Sequence, residues 1–292
     1  MPKVHILTDS TAHFEDPALP QRLGVTVVPL SIQFGRQYYR EGIDLTPDEF
    51  FNRMATSSPP PTLHAPAADD FRAVYGNILK STNQILSLHI SSKLSQTCAR
   101  ARTAAEDYLG RCQIVVLDSW TTSVGLGFLV EAAAQAANEG KSLGDIVRIV
   151  RGMVPHIYAV FFVDTLDYLE HSGLIGKSQS ILGTMLGIKP FLAIEEGEII
   201  PIEKVRTRDK AIDKLTEFAS EFSNIARGVI LQSGTQDAPT QDTQLLLEQL
   251  ELACPGLNFP VMRYGPALAC QLGPDSVGIF VYEGLPAGEI VL

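Results

Sequence analysis

The stretch "HISSKLSQTCARARTAAEDY", residues 89–108, places Ser91, Ser92, Lys93, Ser95 and Thr97 between an apolar run and an alanine-rich helical pattern. Hydroxyls and an ammonium at a strand-to-helix turn suit three kinds of chemistry: a nucleophile, an anion cradle, or a capped helix. A nucleophilic serine needs a general base, and the sequence assigns none to this turn. A helix N-terminus offers unpaired N–H groups and about half a positive charge, to which hydroxyls add neutral donors. One cap needs one hydroxyl, so the surplus favours ligand contact. On this reading Ser91 and Ser92 finish the strand and cap the helix, Ser95 touches ligand, and Lys93 is a solvated rim charge. A second candidate is "EKVRTRDKA", residues 203–211, where Lys204, Arg206 and Arg208 at strand spacing share one face. That face is either a solvated edge or, aimed across a cleft, a partner for a carboxylate.

Other motifs fail on a specific residue. Gly176-Lys177-Ser178 invites a phosphate-loop reading, but His171 stands where that loop needs glycine and the preceding segment reads as a helix rather than a strand. Gly125-Leu126-Gly127 has Val130 in place of the third glycine of a dinucleotide fingerprint, so close helix packing is the better explanation. No G-x-S-x-G, S-x-x-K or H-E-x-x-H occurs, and the six histidines are scattered without zinc-site spacing, so no metal or cofactor is expected.

The elements that must position these residues read as an α/β protein. "VHILTDST", "VTVVPLSIQF", "ILSLHISS" and "IVVLDSWTT" are apolar runs ending in polar turns, separated by helical patterns at 97–109 and at 124–140, the latter closing at Gly140. Continuous apolar strands alternating with helices predict a parallel sheet covered on both faces, with ligands beyond the carboxyl ends of its strands. "TDST", "HISSKLS" and "LDSWTTS" all fall there. "SSPPPTLHAP" is a stiff proline loop. A second unit, 155–292 after a first at 1–154, begins with the strand "AVFFVDTL" and continues through helical material to "SILGTMLG". A hairpin turning at Glu196-Gly197, a helix at 209–226, strand "GVILQS", helix "TQLLLEQLELA" and strands "FPVMRY" and "VGIFVYE" complete a mixed sheet with helices.

The 292 residues carry a formal net charge of -10, which disfavours a nucleic-acid partner. Cys98, Cys112, Cys254 and Cys270 lie far apart and are expected to be reduced thiols. The opening "MPKVHILTDST" has no signal-peptide pattern, and no run of 18 apolar residues occurs, so a cytoplasmic protein with at most transient membrane contact is expected.

Taken in order, "ILTDSTAHF", "VVPLSIQF", "ISSKLSQTCARA", "VLDSWTTSVGLG", "FFVDTLDYLEHSGLIG" and "LGIKPFLAIEEGEIIPIEKVRTRDKA" resemble the DegV family over nearly the whole chain. The resemblance implies two α/β domains, the first enclosing the acyl chain of one long-chain fatty acid and the second closing over its head group. It implies a lipid-binding carrier rather than an enzyme, with a separate fatty-acid kinase subunit as partner. Carried over by position, the head-group serine is Ser95 and the arginine is Arg206. The threonine of the proline loop falls on Leu63, flanked by Thr62 and His64, and the family's histidine position holds Gln271. Leu174 replaces an arginine that serves the kinase, and Gln96 replaces a glycine after Ser95. The expected head-group set is therefore Ser95, Arg206, Gln271, Thr62 and His64. Burying about fourteen methylenes at about 0.8 kcal/mol each is worth roughly 11 kcal/mol gross, so the tail dominates affinity and the polar groups set orientation. The rival reading is a small-acid hydrolase or phosphotransferase using Ser95 or His64.

Overall fold

The computed structural model describes residues 3–176, 188–233 and 238–284. The first half runs β1 (His5–Asp9), α1 (Leu19–Leu23), β2 (Thr26–Val28), β3 (Ser31–Phe34), β4 (Gln37–Arg40), α2 (Pro47–Met54) and β5 (Thr62–His64). It continues through α3 (Ala68–Ile78), β6 (Gln84–His89), α4 (Thr97–Glu106), β7 (Gln113–Asp118), α5 (Ser123–Asn138) and α6 (Leu143–Met153). Strands β2-β1-β6-β7 form a parallel sheet in that order.

Alternation along the strands builds two cores. Ile6, Leu86 and Leu88 pack against α5 and α6, while Leu7, Ile85 and Val28 pack against α3 and α4. Both faces are thus covered, as continuous apolar runs require. The two glycines of Gly125-Leu126-Gly127 serve packing: a Cβ on Gly127 would collide with the His13 carbonyl oxygen.

The second half runs β8 (Ile157–Phe162), α7 (Asp167–His171), β9 (Lys189–Glu195), β10 (Glu198–Val205), α8 (Arg208–Ser220), β11 (Ile225–Gln232), α9 (Gln241–Ala253), β12 (Val261–Arg263), α10 (Pro266–Leu272) and β13 (Val277–Glu283). Its strands form a mixed sheet in the order β10-β9-β8-β13-β11-β12. Glu196 and Gly197 at the hairpin tip have φ of 47° and 84°, the pair of left-handed conformations a two-residue primed turn demands. One face of this sheet is covered by α8 and α9. The other, through Phe161, Leu192, Leu231 and Phe280, packs against Ile32, Phe50, Phe51, Ile90, Leu94 and Phe128 of the first half. An apolar layer therefore lies between the two sheets.

Four local expectations change. "VTVVPLSIQF" is two strands, because Pro29 has no N–H for the ladder and ends β2. β3 then joins β4 and β5 in a small antiparallel sheet of order β4-β3-β5, and β5 lies inside the proline loop. The helix expected at 209–226 ends at Ser220, and Ile225 onward belongs to β11. Lys204, Arg206 and Arg208 do not share a strand face: β10 ends at Val205, Thr207 caps α8, and Arg208 pairs with Asp164 and Asp242. The helical reading of "SILGTMLG" falls largely on 177–187, outside the described residues.

Candidate functional site

Beyond the carboxyl ends of β1, β6 and β7 the chain makes three polar turns, and the second half closes over them. After β6, the Ser91 N–H bonds the Thr121 carbonyl at 2.9 Å, and its hydroxyl donates to the Gly197 carbonyl at the hairpin tip at 2.7 Å. Ser92 is exposed and its N–H meets the Asp118 carboxylate. Neither serine caps α4. The N-cap is Gln96, with no side-chain cap, because the extra turn 91–95 is spent on reaching the hairpin. Lys93 is an exposed rim charge and pairs with Glu198 at 2.6 Å.

Ser95 is half-buried, and its hydroxyl lies 2.8 Å from that of Thr97. The Gln271 amide, 2% exposed on α10, donates to the Leu94 carbonyl at 3.5 Å. Leu94 and the neighbours of Gln271, Cys270 and Leu272, belong to the apolar layer. The Gln271 side chain thus reaches across from the second half to the backbone of Leu94, the residue before Ser95, at the edge of that layer. Helix α10 also packs against β5. There Leu63 joins the apolar layer, whereas Thr62 and His64, one residue to either side, point to the other face by strand alternation. They bond each other at 3.1 Å, and the His64 ring meets Tyr38. Arg206 is exposed at the end of β10 away from the hairpin tip, without an ion pair among the described residues. Leu174 packs against the apolar layer.

The other end of α10 is held by Glu41, which follows β4. Its carboxylate accepts the Ala267 N–H at 2.8 Å and the Ser10 hydroxyl at 2.6 Å. Beside it, His13 packs against Gly265, and a cleft of about 690 Å³ opens between the halves, lined by Phe14, Pro29, Ile43, Met262 and these two groups. Burial pushes the Glu41 carboxyl up to about 7 and His13 down to about 4. Between 4.5 and 7 the folded chain keeps a Glu41 proton that the unfolded chain releases, so this contribution is lost as pH rises through 7. Between 4 and 6.5 the folded chain refuses a His13 proton that the unfolded chain takes, so that contribution is lost as pH falls. The two slopes oppose each other in the overlap, and the Glu41 loss stands alone above it. Glu41→Gln should therefore gain about 2 kcal/mol at pH 8 relative to its effect at pH 5. Urea midpoints of the two chains at both pH values measure this, and equal differences would remove Glu41 as the cause.

Sequence reading missed a buried network in the first half. Tyr75 O–H donates to Ser87 Oγ at 2.8 Å, Ser87 meets His89 Nε2 at 2.7 Å, and His89 Nδ1 meets Asp9 Oδ2 at 2.9 Å. The order serine, histidine, aspartate is that of a hydrolase. Here all four side chains are fully buried and the serine is already engaged by a phenol, so the network joins strands rather than meeting substrate. The signal was present: Ser87 and His89 alternate within a strand whose two faces are both covered, where a polar side chain must find a partner. Ser95 has a hydroxyl neighbour and no base bonded to it among the described residues, and burial raises the Cys98 and Cys270 thiols, away from the thiolate a nucleophile needs. All four cysteines are free, and no group of three or more His, Cys, Asp or Glu among the described residues could hold a metal ion.

The chain and its fold match known proteins over almost their full length. The profile of the family described as "Uncharacterised protein, DegV family" matches residues 3–284. The chain belongs to the DegV family. A DegV domain-containing protein of Caldanaerobacter subterraneus subsp. tengcongensis is 31% identical over 287 residues, covering 97% of this chain and 100% of the relative. Among solved DegV structures, a fatty-acid-binding protein of Thermus thermophilus is 31% identical with a TM-score of 0.84, covering 97% of this chain and 100% of its own. A fatty-acid-binding DegV protein of Streptococcus agalactiae is 26% identical with a TM-score of 0.87, covering 98% and 100%. No helix among the described residues is long and apolar enough to cross a membrane.

Proposed function

We propose that this chain binds one long-chain fatty acid, with its head group between the two halves against Ser95 and Gln271, and carries it for lipid transport or presentation to a separate fatty-acid kinase subunit. The observation that carries the reading is the bond from Gln271 to the Leu94 carbonyl, next to Ser95 in the chain, at the edge of the apolar layer. Fatty-acid binding by the Thermus and Streptococcus relatives supports it. The acyl chain is assigned to the layer between the sheets rather than to the first unit alone, because the residues flanking Ser95 and Gln271 belong to that layer. Leu63 contributes wall and Thr62 and His64 stiffen the proline loop behind it, while Arg206, exposed beyond the far end of β10, takes no part in holding the head group. On this reading the protein acts without turnover, in keeping with a Ser95 hydroxyl that meets Thr97 and no base among the described residues.

Solvent extraction of gently purified protein, read by mass spectrometry, should recover one equivalent of a long-chain fatty acid. Ser95→Ala should weaken uptake by up to about tenfold and leave the fold intact, because one hydrogen bond contributes about 1 kcal/mol against a much larger gain from chain burial. Finding no bound lipid and no uptake of an offered fatty acid would sink the reading. Turnover of a small acid that Ser95→Ala abolishes would replace it with the enzymatic one.

A further inference from the structure

The two ends of the Gln271 amide meet different surroundings. Nε2 reaches the Leu94 carbonyl, while Oε1 is buried with no hydrogen-bond partner. The amide cannot simply be turned round, since that would set its oxygen against the Leu94 oxygen. The protein therefore buries an unmatched acceptor on the amide whose other end bonds Leu94, the residue before Ser95, at the edge of the apolar layer. Buried acceptors of this kind are uncommon and costly, which makes a missing donor the physical question at this position.

We infer that the bound ligand supplies that donor: the head group enters neutral, as a protonated carboxylic acid, an alcohol or a primary amide, and gives its O–H or N–H to Gln271 Oε1. This rests on the lipid-binding reading above. A carboxylic acid offers one donor and one acceptor, which match Gln271 Oε1 and the Ser95 hydroxyl respectively. A carboxylate offers acceptors alone and would lay its charge against Oε1. Among the described residues, the candidates for a counter-charge are placed elsewhere or are uncharged. Lys93 is engaged by Glu198, Arg206 is exposed at the far end of β10, and the Cys270 thiol beside Gln271 is kept neutral by burial.

Calorimetric titration of the delipidated full-length chain at pH 8 tests this with 1-dodecanol, dodecanamide, dodecanoate and methyl dodecanoate, which share one chain length and differ in donors. The alcohol and the amide should bind about tenfold more tightly than the ester, and more tightly than the carboxylate. Gln271→Leu should close the gap between alcohol and ester while keeping ester binding. Equal binding of alcohol and ester, or tightest binding of the carboxylate, overturns the neutral head group and leaves lipid binding standing. No binding of any of the four overturns both. Should Gln271→Leu fail to fold, the comparison in the unaltered chain decides by itself.

Discussion

Asp9→Ala should lower the stability of the protein by about 3–5 kcal/mol, the range for removing one partner from a buried charged network. The Asp9 carboxylate is fully buried and accepts four hydrogen bonds: Thr11 N–H and hydroxyl at 3.1 and 2.6 Å, Ile90 N–H at 3.0 Å and His89 Nδ1 at 2.9 Å. Alanine leaves two amides, a hydroxyl and an imidazole without acceptors in a site closed to water. It also frees the turn after β1 from the end of β6, on which the Ser91–Ser95 turn is mounted. Asp9→Asn keeps one oxygen and should recover part of the loss. Denaturant midpoints measure both, and a loss below about 1 kcal/mol for the alanine variant would mean that the network contributes no more than an ordinary surface group.

Gly197→Val should be the second large effect, and it acts between the halves. Gly197 has φ of 84°, where an L-residue costs roughly 1–2 kcal/mol. A Cβ there would also collide with Ser91 Oγ and lie 3.2 Å from Trp120 Cα. Relieving that collision breaks the buried bond from Ser91 to the Gly197 carbonyl, which adds about 1–3 kcal/mol. The expected total is about 2–5 kcal/mol, together with a clear loss of bound lipid, since the turn that bears Ser95 loses its anchor. Normal lipid content at reduced stability would show that the hairpin tip does not position the head-group turn. Ser91→Ala is the companion variant, removing the bond without the collision, and should fall between.

The strands of both sheets were legible because each is an apolar run that ends in a polar turn. Ser95 was singled out because a helix start has little use for so many hydroxyls, and the structure sets it half-buried beside Leu94, whose carbonyl meets Gln271. Pro29 hid a change of sheet within what reads as one run, since hydrophobicity alone does not say which neighbour a strand pairs with. Thr62-Leu63-His64 is too short to signal a strand, and its meaning lies in which of the three faces inward. Arg208 looked like strand spacing because β10 ends at Val205 and Thr207 already caps the next helix, with only Arg206 between them. The partners of Gln271 and Glu41 lie 177 and 226 residues away, a separation no local pattern reports.

Residues 26–34 form a seam, a single continuous peptide whose first part is sewn into one sheet and whose last part into another. Val28 fills the core of the first sheet and Ile32 fills the layer between the halves, with Pro29 separating the two commitments. Side chains alternate with a period of two, so one residue inserted after Pro29 would exchange Ile32 for Ser31 or Gln33 on the inner face and leave the β1–β2 pairing untouched. The wall of the apolar layer can therefore drift in shape through the length of this short joint while the sheet that carries the Ser91–Ser95 turn stays as it is.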